Sequence, residues 1–524
     1  MRRRQLAFYP FLAAVYSVLV LAAENRDALS GLGELVRPSA VMLLVAGLAW
    51  LLAAAVVRDS HRRALITLVV VAYFAGFKAL TRGIRSSPWL EVWDAWRYAD
   101  ALSLILLLGI VTLVLRGRRP LNRATGFLNL TASILVLFPA VLLVRFGVTT
   151  AGPPIVDAGP IPQPRAMGRR DSTPDIYLII LDKYTGSRSL QANYAFDNTP
   201  FERFLRSRGF VVPSRAQANY VHTFLALASL LNWRYLDDLP ERFGRDRSDW
   251  SLAYPLIEDS RTVRFLASRG YRFVFFPTAF AATRENRFAD LNYPAPATIP
   301  SEFALGWMRS TPLPTLRRVV YGAARHAANP FPFRPEPPAM FDRKFERLAQ
   351  LPKKGGPLFV FAHLLLPHEP YVYDRTCRHL EPYWPVEDQG VEEPLLKAAY
   401  VEQIECLNRK LTRLVDRLIA ESRQPPIIIL QADHGHGRNG RNQPHLAEVP
   451  PDRAAERADI FAAYYVPPVV EAALHDSISP VNVSRALFSR LFDLPLPPLE
   501  DATYWSAHDR PYDFTRMEPV SAQR

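Results

Sequence analysis

PPIIILQADHGHG, residues 425–437, decides the fold. Residues 425–431 are an apolar, isoleucine-rich run closed in by polar neighbours, which reads as a strand buried on both faces. Asp433 and His434 follow immediately. Three runs of the same kind lie upstream: DIYLIIL (175–181), YRFVFF (271–276) and PLFVFAHLL (357–365). Helical patterns separate them. TPFERFLRSRG (199–209) is amphipathic and ends at Gly209, a second helix covers about 222–231, and EPLLKAAYVEQIECLNRKLTRLVDRLIAES (393–422) is a long amphipathic helix. FVVPS (210–214) reads as one further short strand. Strands alternating with helices predict an α/β sandwich with a largely parallel sheet. Ligands bind such sheets at the carboxyl ends of the strands.

The chemistry-bearing residues gather at those ends. Asp182 directly follows 175–181, as Asp433 and His434 follow 425–431. Two carboxylates and an imidazole suit a divalent cation, and a buried carboxylate cluster without a counter-ion is costly. A lone aspartate at a strand end is more often a cap or turn residue, so the joint occurrence carries the weight. In NYVHTFLALASLLN (219–232), Thr223 opens a helix, where free amides and the positive dipole end favour a phosphate. A metal-bound threonine can lose its proton and act as nucleophile; the plainer reading is an N-cap. FAHLLLPHEPYVYD (361–374) adds His363 and His368, suited to a second metal, to phosphate oxygens, or to a purely structural role.

The first 150 residues are of another kind. Apolar runs near 7–23, 39–57, 64–80, 99–115 and 125–147 are each close to the length of a bilayer-spanning helix. Arginines cluster before the first run (Arg2, Arg3, Arg4), between the second and third (Arg58, Arg62, Arg63) and between the fourth and fifth (Arg116, Arg118, Arg119, Arg123). By the positive-inside rule the N-terminus is cytoplasmic and everything after residue 148 is outside. Trp89, Trp93 and Trp96 suit an aromatic belt. The Pro/Gly-rich stretch 149–172 is a linker, and 327–338 a Pro-rich surface loop. The expected organisation is a five-helix transmembrane domain (1–148), a linker (149–172) and an extracytoplasmic catalytic domain (173–524).

The net charge of +13 reflects these topogenic arginines and not a nucleic-acid footprint, and no RNA- or DNA-binding motif occurs. The spans hold few charges, Lys78 and Arg145 near their ends, and no broken-helix pair, which argues against a channel or transporter. Cys377 and Cys406 have no zinc-like spacing; a disulfide and two buried thiols both fit.

LDKY (181–184), SRAQANYVHTFLALASLLN (214–232), HLLLPHEPY (363–371) and QADHGHG (431–437) occur in the order and approximate spacing of the alkaline phosphatase/sulfatase superfamily, which the chain resembles over most of 174–470. ERADIFAAYYVPP (456–468) looks like that family's closing strand. Five spans ahead of such a domain resemble the lipoteichoic acid synthases and lipid A phosphoethanolamine transferases. The resemblance implies a catalytic metal, zinc or manganese, one or two ions, held by Asp182, Thr223, Asp433 and His434, with Thr223 as the covalent acceptor. It implies His368 as catalytic or phosphate-contacting and, less directly, His445 on the substrate side; His363, which has no secure counterpart in the family, and Lys183, a departure from its pattern, are further substrate-side candidates of this chain. The family's C/S-x-P-x-R sulfatase motif is missing and Lys183 replaces its second aspartate, so phosphoryl chemistry is expected over sulfate-ester chemistry. The expected function is a bacterial inner-membrane phosphotransferase acting on envelope phospholipids or glycans through a phospho-threonine. The alternatives are an extracytoplasmic phosphoric- or sulfuric-ester hydrolase and a non-catalytic envelope binding protein.

Overall fold

The computed structural model describes residues 6–29, 31–87, 98–151, 161–163, 173–295, 298–316, 336–354, 357–380, 393–437 and 443–518. Trp89, Trp93 and Trp96, most of the linker and most of 327–338 lie outside the described residues. The chain divides into two compact units, Met1–Pro154 with Pro300–Pro335, and Ile155–Ile299 with Glu336–Arg524.

The first unit holds helices α1 (Tyr9–Glu24), α2 (Val36–Val56), α3 (Ser60–Arg85), α4 (Ala99–Arg116) and α5 (Asn122–Ala151). Small and slender residues line the contacts: Ala14, Val18 and Ala22 of α1 and Met42, Ala46, Ala49 and Ala53 of α2 are buried. That spacing of three and four puts one stripe of each helix against its neighbours. Asn129 of α5 accepts from the amides of Phe8 and Tyr9 and donates to the Leu6 carbonyl, so one side chain pins the entry of α1. Arg62 donates to the carbonyls of Val114 and Arg119, and Arg63 to those of Val57 and Arg58. Such guanidiniums occupy carbonyls that a helix C-terminus leaves unpaired.

Among the described residues, four stretches are long and apolar enough to cross a membrane: Leu32–Val56, Ser60–Arg85, Ala99–Arg116 and Asn122–Arg145. The fifth expected span, α1, is 16 residues, about 24 Å at 1.5 Å per residue and shorter than a hydrocarbon core. Of the five expected spans, the described residues thus give four helices of spanning length and one shorter apolar helix. The helix Glu302–Ser310, capped by Ser301, belongs to this unit, with Phe303 and Trp307 buried among Ala14, Val18, Met42 and Val71. Reading 173–524 as one continuous domain did not anticipate this excursion.

The second unit is built on a six-stranded sheet of β1 (Ile176–Leu181), β2 (Arg272–Phe276), β3 (Leu291–Asn292), β4 (Leu358–Leu364), β5 (Ile427–Gln431) and β6 (Ala462–Tyr465), in the order β3-β2-β4-β1-β5-β6. All neighbours pair parallel except β5 with β6. Every side chain of β1 is buried, as expected of a central strand covered on both faces. Phe273 stacks on Phe359 and Phe275 on Phe361 across the β2–β4 pair. FVVPS is not a strand; only Val211 bridges, to Tyr464, because Pro213 ends any ladder. Helix α6 (Thr223–Asn232) is buried almost throughout. Helix α7 (Glu393–Glu421) buries Ile404, Leu407, Leu411, Leu414 and Leu418, and Cys406 on it forms a disulfide with Cys377.

Candidate functional site

Parallel pairing of β1 with both β4 and β5 brings the carboxyl ends of three strands to one edge. Asp182 leaves β1 with its amide on the Leu364 carbonyl, and its own carbonyl accepts from the His368 amide. Lys183 takes a left-handed turn, φ 63°, which aims its amide at Asp433 Oδ1, 3.2 Å away. Asp433 and His434 follow β5. Ligand atoms of Asp182, Asp433 and His434 lie within 4.8 Å of one another, and all three residues are buried.

Thr223 stands above this cluster at the first turn of α6. Its side chain is partly exposed, and Oγ1 is 3.1 Å from His434 Nε2. His434 Nδ1 is 2.9 Å from the Gly435 carbonyl, an acceptor only, so that nitrogen carries the proton and Nε2 presents a lone pair. Burial, then the Arg457 guanidinium, drives the His434 pKa far down and keeps the ring neutral. Burial, then the neighbouring Asp182 charge, pushes the Asp433 carboxyl up to about 6. Burial would raise Asp182 too, but His368, His363 and Lys183 together hold it below its ordinary value. Asp182 Oδ1, Asp433 Oδ2 and His363 Nε2 are buried without a hydrogen-bond partner. Orphaned buried acceptors are rare and costly. The two carboxylate oxygens, beside a neutral imidazole, fit a divalent cation.

The remaining expected residues fall in three places. His363, at the end of β4, is fully buried, with Nε2 3.3 Å from Asp182 Oδ2. His368 is one-third exposed at the rim, its Nδ1 2.5 Å from the Glu369 carbonyl. His445 is exposed beside the turn Leu446–Glu448 and makes no side-chain hydrogen bond among the described residues. The Lys183 ammonium is 3.0 and 3.1 Å from the two oxygens of Glu369, both residues buried. Burial opposes ionisation of Glu369, yet His368 and Lys183 hold its carboxyl far below the usual range. An expected phosphate-facing cation is thus already engaged by an anion.

Arg457 and Glu369 were not singled out in the sequence. Arg457 donates to the carbonyls of Val221 and His436 at 2.9–3.1 Å and reaches His434 Nε2 at 3.2 Å. It ties the loop before Thr223 to the loop after Asp433. Its only sequence signal is a charge next to the β6 run, which a solvated helix end displays equally. His436, buried between Tyr194 and Tyr371 hydroxyls at 3.1 and 3.2 Å, packs behind the site.

No protein-family model matches the sequence, and no curated protein sequence matches it. Among solved structures the chain is similar to the integral membrane lipooligosaccharide phosphoethanolamine transferase A of Neisseria meningitidis, 13% identical, covering 93% of this chain and 94% of that one at a TM-score of 0.42. It is similar to the C-terminal periplasmic domain of EptC from Escherichia coli in complex with Zn, 12% identical, 67% and 94% covered, TM-score 0.40. A putative sulfatase of Bacteroides fragilis is 14% identical, 66% and 84% covered, TM-score 0.39.

Proposed function

We propose that this chain is a membrane-bound, metal-dependent phosphotransferase of the alkaline phosphatase/sulfatase superfamily that works through a phospho-threonine at Thr223. The observation that carries this is the placement of Thr223. A reachable hydroxyl at a helix N-terminus lies 3.1 Å from a neutral imidazole, above buried carboxylates whose oxygens lack partners. Asp182, Asp433 and His434, with Thr223 Oγ1, would hold the cation, which when bound lowers the hydroxyl pKa and polarises the phosphoryl group.

The chain's own residues supply the rest. Amides at the start of α6 face an incoming phosphate. Thr223, its hydroxyl proton released to solvent through its partly exposed side, attacks phosphorus in line through Oγ1 as the bond from phosphorus to the departing lipid alcohol breaks. His368, at the rim, protonates the leaving oxygen. A second alcohol then attacks phosphorus, giving its proton to the same His368 ring that protonated the first leaving group, and the bond to Thr223 Oγ1 breaks, the threonine oxygen regaining a proton from solvent. Because Thr223 is partly open to solvent, water can take that second role, which keeps phosphoric-ester hydrolysis as the alternative.

Four apolar helices of spanning length support membrane residence, and the alternation of arginine-rich loops supports a cytoplasmic N-terminus with the site outside. The Cys377–Cys406 disulfide suits an oxidising compartment. An outer-leaflet phospholipid is then the donor, with an envelope lipid or glycan as acceptor. Full-length protein is incubated with bacterial phospholipids and a divalent metal, then read by intact mass and peptide mapping. A covalent adduct on Thr223, lost in Thr223→Ala, is expected, and its mass names the transferred group. A turning-over wild type with no adduct, or an active Thr223→Ala, overturns the nucleophile.

A further inference from the structure

We propose that the C-terminal segment Thr503–His508 belongs to the active site, and that His222 is the positioning residue through which it fixes Thr223. This deepens the function proposed above and rests on Thr223 as its nucleophile. The segment lies beyond the stretch 174–470 that carries the resemblance to known enzymes.

The start of α6 lacks the usual side-chain cap. An N-cap side chain commonly accepts from the second or third amide of its helix. His222 holds that place in an extended backbone conformation and makes no such bond. A capping oxygen there would compete with a phosphate for the first amides of α6. The buried His222 ring turns away instead. Its Nε2 lies 2.9 Å from the Ser506 carbonyl, an acceptor only, so this nitrogen carries the proton and donates. The Trp250 ring lies 5.0 Å from the His222 ring and stacks on Phe224 at 4.8 Å. One indole thus packs against both neighbours of Thr223, and it donates from Nε1 to the His508 carbonyl at 3.0 Å.

The same segment grips the chain ahead of His222 and the turn that carries His445. The Tyr504 amide donates to the Asn219 carbonyl at 2.9 Å. On the other side, the Trp505 indole donates to the Pro444 carbonyl at 2.9 Å and the His508 amide to the Gln443 carbonyl at 2.8 Å. A short run of chain therefore joins the Thr223 loop to the His445 loop through side-chain and main-chain hydrogen bonds. Misplacing a reacting group by about 1 Å costs up to about 100-fold in rate. His222 acts through Thr223, so its loss is read in kcat and little in KM.

The test is steady-state turnover of the full-length protein in detergent micelles of mixed bacterial phospholipids with MnCl2, read as released diacylglycerol against lipid mole fraction. His222→Phe keeps an aromatic ring against Trp250 and removes the donor. It should lower kcat by about 10- to 100-fold while KM stays within about 3-fold, with an unchanged circular dichroism melt. His222→Gln, whose amide can donate to the same carbonyl, should return kcat to within about 5-fold of wild type. If His222→Phe does not fold, Trp505→Phe, which frees the far end of the join by removing the bond to Pro444, carries the test with the same split of kcat from KM. Wild-type kcat in the variant that carries the test, or a His222→Gln as slow as His222→Phe, overturns the inference and leaves the phosphotransferase standing. A wild type that releases no diacylglycerol, or an active Thr223→Ala, removes both.

Discussion

The two units of this chain sort side chains in opposite ways. In the first, alanine is the interior residue and leucine the surface residue. Ala14, Ala22, Ala46 and Ala64 are fully buried, while Leu51, Leu52 and Val56 are 66–74% exposed. In the second, Tyr177, Phe224, Phe361 and Tyr464 are inside, together with a cluster of ionisable groups. Hydrophobic burial from water explains the second pattern. It cannot explain the first, where close approach of helix backbones and apolar surroundings do. Polar atoms follow the same split. Those of the first unit, such as Asn129 and Arg62, satisfy helix ends, whereas those of the second converge on one sheet edge.

The comparison can be broken at several points. The largest effect is expected at the converging edge: Thr223→Ala should reduce turnover by about 1,000-fold or more with an unchanged melting curve, because it removes the proposed nucleophile and little packing. A loss under 10-fold in a steady-state assay would deny the second unit its chemistry. Next comes Glu369→Gln, which strands the buried Lys183 ammonium and should cost about 3–5 kcal/mol in denaturant melts. Its sign with pH follows from the depressed folded-state pKa. Glu369 contributes stability above its ordinary 4.5, and that contribution fades as pH falls below it, so the gap between wild type and variant should narrow in melts below about pH 4.5. A gap that widens in acid would mean the pair is not ionised.

The first unit gives smaller effects. Ala46→Leu inserts three carbons where α2 meets its neighbours and should destabilise the detergent-solubilised protein by about 1–3 kcal/mol. Leu52→Ala, on the outward face and 73% exposed, should change the same melt by less than about 0.5 kcal/mol. A larger loss at Leu52 than at Ala46 would reverse the assignment of inside and outside.

How much of this the sequence discloses depends on range. Four core strands were readable because each is a short continuous apolar run, and Asp182, Asp433 and Thr223 because they stand where a strand ends or a helix begins. β3 was missed: two residues carry no periodicity. The partner of Lys183 is 186 residues away, and nothing local tells a cation awaiting phosphate from one already paired. Arg457 reaches back 236 residues to Val221. The helix Glu302–Ser310 shows an amphipathic pattern, but a pattern says that a face is covered and not by which unit.

That helix has a practical consequence for anyone cutting the gene. A fragment beginning at residue 173 looks, by composition, like a water-soluble piece, yet it carries Phe303 and Trp307, whose cover is α1 and its neighbours. Such a fragment is expected to precipitate or form oligomers through that bare face. Replacing both aromatics with serine should return it to a monodisperse peak on size exclusion, and would turn the portion of the chain that holds the chemistry into a reagent that needs no detergent.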